Sequence, residues 1–124
     1  NERMIFNFRE PPSFTSTLNL ACESWSVSKE ELLSKGRSEP LPTCRAILAN
    51  ALNVGYGMKA AQIGKLTNQT PSLIDGQLRS HVDRMMITSK REGISLYNDQ
   101  SYHQNFTHLM EKVDAFKIMK ANRL

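Results

Sequence analysis

Five basic side chains, Lys35, Arg37, Arg45, Lys59 and Lys65, stand in loops or near helix starts in the middle of the chain. Guanidinium and ammonium groups placed this way are suited to holding phosphate oxygens, contacts that fix a register without reading a sequence. The plainer alternative is scattered solvation. Beyond them come Gln69, Thr70 and Ser72, and then Gly76, Arg79 and Ser80. This series is small and polar, and its one arginine is able to reach a guanine edge or a phosphate, or simply to remain solvated surface. The chemistry on offer is recognition. His81, His103 and His108 have no nucleophile or paired carboxylates at supporting spacing. Cys22 and Cys44 lack the Cys or His neighbours that a zinc site needs and read as small core residues. No catalytic residue, metal ligand or cofactor is therefore assigned. A phosphate-cradling G-x-x-x-x-G-K-[ST] run is also missing, because Gly64-Lys65-Leu66 has neither the upstream glycine nor the hydroxyl.

Positioning these residues falls to helices, since nothing from Ser13 onward competes as a strand. The periodicity predicts six of them in an all-α fold. The first spans roughly Ser13 to Trp25, with Phe14, Leu18, Ala21, Cys22 and Trp25 on one stripe. Ser28-Lys29-Glu30-Glu31 is a capping-box pattern opening a short second helix that ends near Ser34. The third starts at Pro40 to Pro42, turns Cys44, Ile47, Leu48, Ala51 and Leu52 inward, and ends at Gly55-Tyr56-Gly57. The fourth covers about Met58 to Leu66 and the fifth about Pro71 to Thr88. A polar loop through Gly93 and Asn98-Asp99 then leads to a last helix whose common face is Tyr102, Phe106, Leu109, Met110, Val113 and Phe116.

The break at Thr67-Asn68-Gln69-Thr70 has the chemistry of a helix-turn-helix. Thr70 is a hydroxyl N-cap, Pro71 sits at the first helical position, and Asn68 tolerates the left-handed conformation that a sharp turn needs. Ile63 and Ile74 would lock the two helices together, with Leu78 continuing the inward face. Many αα-hairpins share this spacing. On the fifth helix the inward arc holds Ile74, Leu78, His81 and Met85, with Val82 at its edge. Ser72, Gly76, Arg79, Ser80 and Asp83 point outward. A glycine inside a helix costs roughly 1 kcal/mol relative to alanine. Gly76 therefore serves a close approach to a groove wall, fits a neighbouring helix, or is merely tolerated. His81, facing inward, reads as a satisfied core histidine.

The bulk properties agree with such a module. A chain of 124 residues with 40% apolar content suits one domain, here 13–124 after an N-terminal extension over 1–12. A net charge of +4 mildly favours anionic partners. There is no secretory pattern at the N-terminus and no apolar run long enough for a membrane span, which points to the cytoplasm and to no membrane partner. The chain opens on Asn1 rather than Met, as a piece of a larger parent protein would.

Over roughly Thr17 to Phe116 the sequence resembles domain IV, the C-terminal DNA-binding domain of the bacterial replication initiator DnaA. Three stretches carry the likeness: VSKEELLSKGRSEPLPTCRAILANAL (Val27 to Leu52), Ile63-Gly64, and NFTHLMEKV (Asn105 to Val113). The resemblance implies a Trp-repressor-like helix-turn-helix that binds double-stranded DNA. It puts Arg37 on a basic-loop position and Arg45 on an arginine that contacts the minor groove. The family's Gly-Gly-x-Asp-His-Thr-Thr run, which reads bases, is replaced here by Thr67-Asn68-Gln69-Thr70-Pro71-Ser72. The Asp-His pair is absent, so fold and binding mode are implied and the family's target sequence is not. The same departure leaves a second reading open, a protein-interaction module that kept the fold and lost DNA readout.

Overall fold

The computed structural model describes residues 11–38, 41–86 and 96–122, with side chains of the last segment from Tyr102 onward. Among these the regular elements are all helices: α1 (Pro12–Trp25), α2 (Lys29–Leu32), α3 (Leu41–Tyr56), α4 (Ala60–Thr67), α5 (Pro71–Met86) and α6 (Leu96–Asn122).

Local chemistry sets the boundaries. Pro12 opens α1 where its missing N–H costs nothing, and Ser26, in the left-handed region at φ 56, closes it. The capping box of α2 is complete. Glu31 N–H donates to Ser28 Oγ at 3.0 Å, and Ser28 N–H donates to the Glu31 carboxylate at 3.1 Å. Lys59, Asn68 and Gly57 mark the breaks around α4.

The core is built around α3. Every residue from Cys44 to Leu52 is buried, the signature of a helix surrounded by others rather than lying on a surface. The remaining five helices all pack against it. Phe14, Leu18 and Ala21 of α1, Ile63 of α4, Ile74 of α5, and Tyr102, Leu109 and Val113 of α6 fill the space around it. Two polar ties add orientation to this apolar packing. Asn50 Nδ2 donates to Ala46 O at 2.9 Å within α3 and to Gln77 O at 3.2 Å on α5. Lys117 Nζ donates to Gly55 O and lies 4.4 Å from the centre of the Tyr56 ring, closing the C-terminal end of α3 from α6.

The last helix begins earlier than the sequence predicts. Asn98 and Asp99, expected in a loop, lie in the first turn of α6. Short polar and acidic residue types are compatible with the first turn of a helix, whose N–H groups lack intrahelical partners and which is the positive end of the dipole. Residues 1–10, Pro40, Lys90, Arg91, Gly93 and Arg123, and the end of the fifth helix near Thr88, lie outside the described residues. One face of α1 and the last turns of α6 share a cleft of about 410 Å³. Pro12, Ser16, Leu20, Phe116 and Lys120 line it, and no residue of α5 does.

Candidate nucleic-acid interface

The turn between α4 and α5 is held by contacts of its own backbone. Asn68 adopts the left-handed conformation at φ 61. Gln69 N–H donates to Gly64 O at 2.9 Å, and Leu73 N–H donates to Thr70 Oγ1 at 3.2 Å, the expected N-cap bond. Gly64 has a strict steric role. A Cβ there would stand 2.6 Å from the backbone oxygen of Gln69, closer than real side chains come. The Ile63-Gly64 pair thus supplies one fully buried side chain, in the same core as Ile74, and one missing side chain that lets the turn fold onto its own helix. Thr67, also buried, donates to Ile63 O at 2.7 Å and accepts from Gln69 Nε2 at 3.1 Å. Gln77 Nε2 in turn donates to Gln69 Oε1 at 3.4 Å.

On α5, Ile74 is fully buried and Leu78, His81 and Met85 are half-buried against the core, as the helical spacing predicts. Val82 departs from it, being 59% exposed. Ser72, Gly76, Arg79 and Asp83 are exposed. Ser80, expected among them, is half-buried, and its hydroxyl donates back to Gln77 O at 3.2 Å. Among the described residues nothing lies within 4 Å of a Cβ built on Gly76, so none of the described helices accounts for that glycine. Arg79 pairs with Asp75 at 3.2 Å one turn earlier, with its side chain 75% exposed.

His81 is the satisfied core histidine that its inward position predicts. Its Nδ1 and the Tyr102 hydroxyl are hydrogen-bonded at 2.6 Å, and its ring packs against Phe106 at 4.5 Å. Burial, and then the nearby positive Arg84, hold its pKa below the ordinary 6.5. Burial also pushes the Tyr102 phenol up to about 12, against the opposing pull of Arg84 and of a hydrogen bond with Asn50.

Beside the turn, the α2–α3 loop presents exposed Lys35 and Arg37. An open groove of about 490 Å³ runs between the two. Lys35, Gly36, Arg37 and Arg45 line one side, and Asn68, Gln69, Thr70, Leu73 and Gln77 the other. The fold therefore brings together Lys35, Arg37, Arg45, Gln69 and Thr70, which are far apart in sequence. Lys59 and Lys65, at the two ends of α4, are exposed outside this groove.

Arg45 differs most from expectation. As a groove contact it would be exposed, yet it is 7% exposed. Its Nε donates to Leu32 O at 2.8 Å, one terminal nitrogen to Gly36 O, and the other to Glu31 O at 3.2 Å and Ser34 Oγ at 3.1 Å. Four of its five N–H groups are thus committed inside the protein.

Leu73 and Gln77 were not among the residues singled out in the sequence, although the i, i+4, i+8 series Gln69, Leu73, Gln77 marks one flank of the turn and helix. Leu73 is 52% exposed at the mouth of the groove. Among the described residues no three His, Cys, Asp or Glu side chains gather as a metal site would require, and no helix is long and apolar enough to cross a membrane.

Comparison with known proteins adds no relative: no family model, no curated protein and no solved structure matches this chain.

Proposed function

We propose that this chain is a non-enzymatic, double-stranded-DNA-binding module of the kind that the DnaA resemblance implies. The N-terminal half of α5 enters the major groove, and the Lys35–Arg37 loop holds the flanking phosphates. The observation that carries this reading is the groove joining that basic loop to the capped start of α5, with Ser72, Gly76 and Arg79 exposed on the helix. A face of small polar residues with one arginine admits a helix to base edges. By the same resemblance, the module serves DNA replication in the bacterial cytoplasm.

Selection of binding sites from random duplex DNA, followed by salt titration on the enriched site, tests it. Two phosphate contacts, from Lys35 and Arg37, would lower affinity about 12-fold between 50 and 200 mM salt.

The second reading is a protein-interaction module. It draws on Leu73 and Val82, two large apolar side chains more than half exposed on α5, and on the ion pair that engages Arg79. Burial of an apolar helix face has little salt dependence. An absence of both an enriched motif and salt-sensitive duplex binding would replace the DNA reading with this one.

A further inference from the structure

We infer that Arg45 serves phosphate binding from inside the protein, as the positioning residue that presets the Lys35–Arg37 loop, without touching DNA itself. This rests on the proposed function and assigns the buried arginine a part in it.

The need for such a residue follows from α2. A helix of four residues leaves its last carbonyls without intrahelical partners. Arg45, reaching across from α3, donates to two of them, Glu31 O and Leu32 O, and then to Gly36 O and Ser34 Oγ further along. Ser34 completes the wrap: its hydroxyl donates to Glu31 O at 2.7 Å and accepts from Gly36 N–H at 3.3 Å. The chain from Glu31 to Gly36 is thereby folded around one planar guanidinium. Lys35 and Arg37 project from either side of the glycine whose carbonyl is held.

Only arginine suits this position. Its rigid fork of donors addresses four acceptors at once, whereas an ammonium on a flexible stem is a point charge without that geometry. The fixed loop also changes the cost of binding. Ordering a free segment on a ligand consumes part of the interaction energy, and a segment already ordered escapes that loss. Among the described residues no carboxylate forms an ion pair with Arg45, so its charge still adds to the positive potential of the groove that it lines.

Two measurements on the full chain test the inference. The first is limited trypsin digestion, read by mass, at the bonds after Lys35 and Arg37. Arg45→Gln should accelerate these cuts about tenfold by releasing the loop. Ser34→Ala, an exposed change that leaves the core intact, should accelerate them less, in the same direction. The second is a mutant cycle on duplex DNA. Arg45→Gln should weaken binding about fivefold to tenfold in the natural background, and by under about twofold in Lys35→Ala/Arg37→Ala, where nothing is left to position. Equal losses in both backgrounds would mean that Arg45 acts independently of the loop, and unchanged cutting in both variants would mean that it does not hold the loop; either result overturns the inference. Natural protein that binds no duplex at any salt overturns the proposed function itself, a failure distinguishable from these two.

Discussion

Gly64 and Gly76 sit on facing halves of the same motif, and the structure requires that their replacement by alanine act in opposite directions. Gly76 is exposed in the interior of α5, and among the described residues a Cβ there meets nothing within 4 Å. Gly76→Ala therefore gains helix propensity without a collision, about 1 kcal/mol. For a domain of this size that corresponds to a rise in melting temperature of about 3–5 °C. Gly64→Ala gains the same propensity but drives its Cβ to 2.6 Å from Gln69 O, with Thr70 C and Pro71 N also close at 3.4 Å. Backbone atoms cannot rotate away as a side chain would, so the turn itself must shift. Overpacking of this kind costs about 1–3 kcal/mol or more, enough to exceed the propensity gain and lower the melting temperature. Thermal unfolding followed by circular dichroism reads both signs. The DNA assay then separates stability from function. If α5 approaches a groove wall through Gly76, the added methyl should weaken duplex binding about tenfold, equivalent to about 1.4 kcal/mol, even as the protein becomes more stable. A higher melting temperature with unchanged affinity would refute the close approach. A lower one would refute the open space around Gly76.

Three further outcomes follow from the same geometry. Ile74→Asp should destabilise the domain by more than about 4 kcal/mol by burying an unpaired carboxylate between α4 and α5, and loss of helical ellipticity at room temperature would register it; an unchanged melt would place Ile74 at the surface. Arg79→Ala removes an exposed ion pair and should change stability by less than about 0.5 kcal/mol. On a selected site it should cost about 1–3 kcal/mol of binding and little on random duplex, if it reads a base edge. The folded-state pKa of His81 lies below 6.5, so the unfolded chain binds more protons between the two values. The contribution of His81 is fully present above pH 6.5 and is lost as pH falls through the lower, folded value. Chemical denaturation from pH 8 to 5 should show this loss, and His81→Phe should flatten the profile, since it cannot titrate. An identical pH slope in the two proteins would assign the acid sensitivity to other groups.

Much of the motif is legible in the sequence because its determinants are local. The Ser28–Glu31 box, the Thr70 cap, left-handed Asn68 and Pro71 each act within a few residues, and each occupies its expected place. The apolar spacing likewise brings out Ile63, Ile74 and the α6 face. Arg45 was not legible as a buried residue. Its partners are backbone carbonyls on a different element, and carbonyls have no sequence signature. Ser80 was placed outward by its helical angle, whereas its hydroxyl follows a bond to its own backbone. The groove was equally hidden, since it exists only once α3 has brought the loop of Lys35 beside the turn of Asn68. Asn98 and Asp99 mislead for a different reason: residues common in loops are also at home in the first turn of a helix.

The shared cleft between one face of α1 and the last turns of α6 has a practical consequence. Pro12 and Lys120 border one space, so the folded unit is entered and left at neighbouring points. Proximity of this kind is what lets a domain be spliced into a surface loop of a host protein, or have its ends joined and be reopened elsewhere. The turn and α5 contribute nothing to that cleft. The lining of the cleft shares no residue with that of the Lys35–Leu73 groove, so a host, a fluorophore or a surface tether attached there would occupy a different part of the surface.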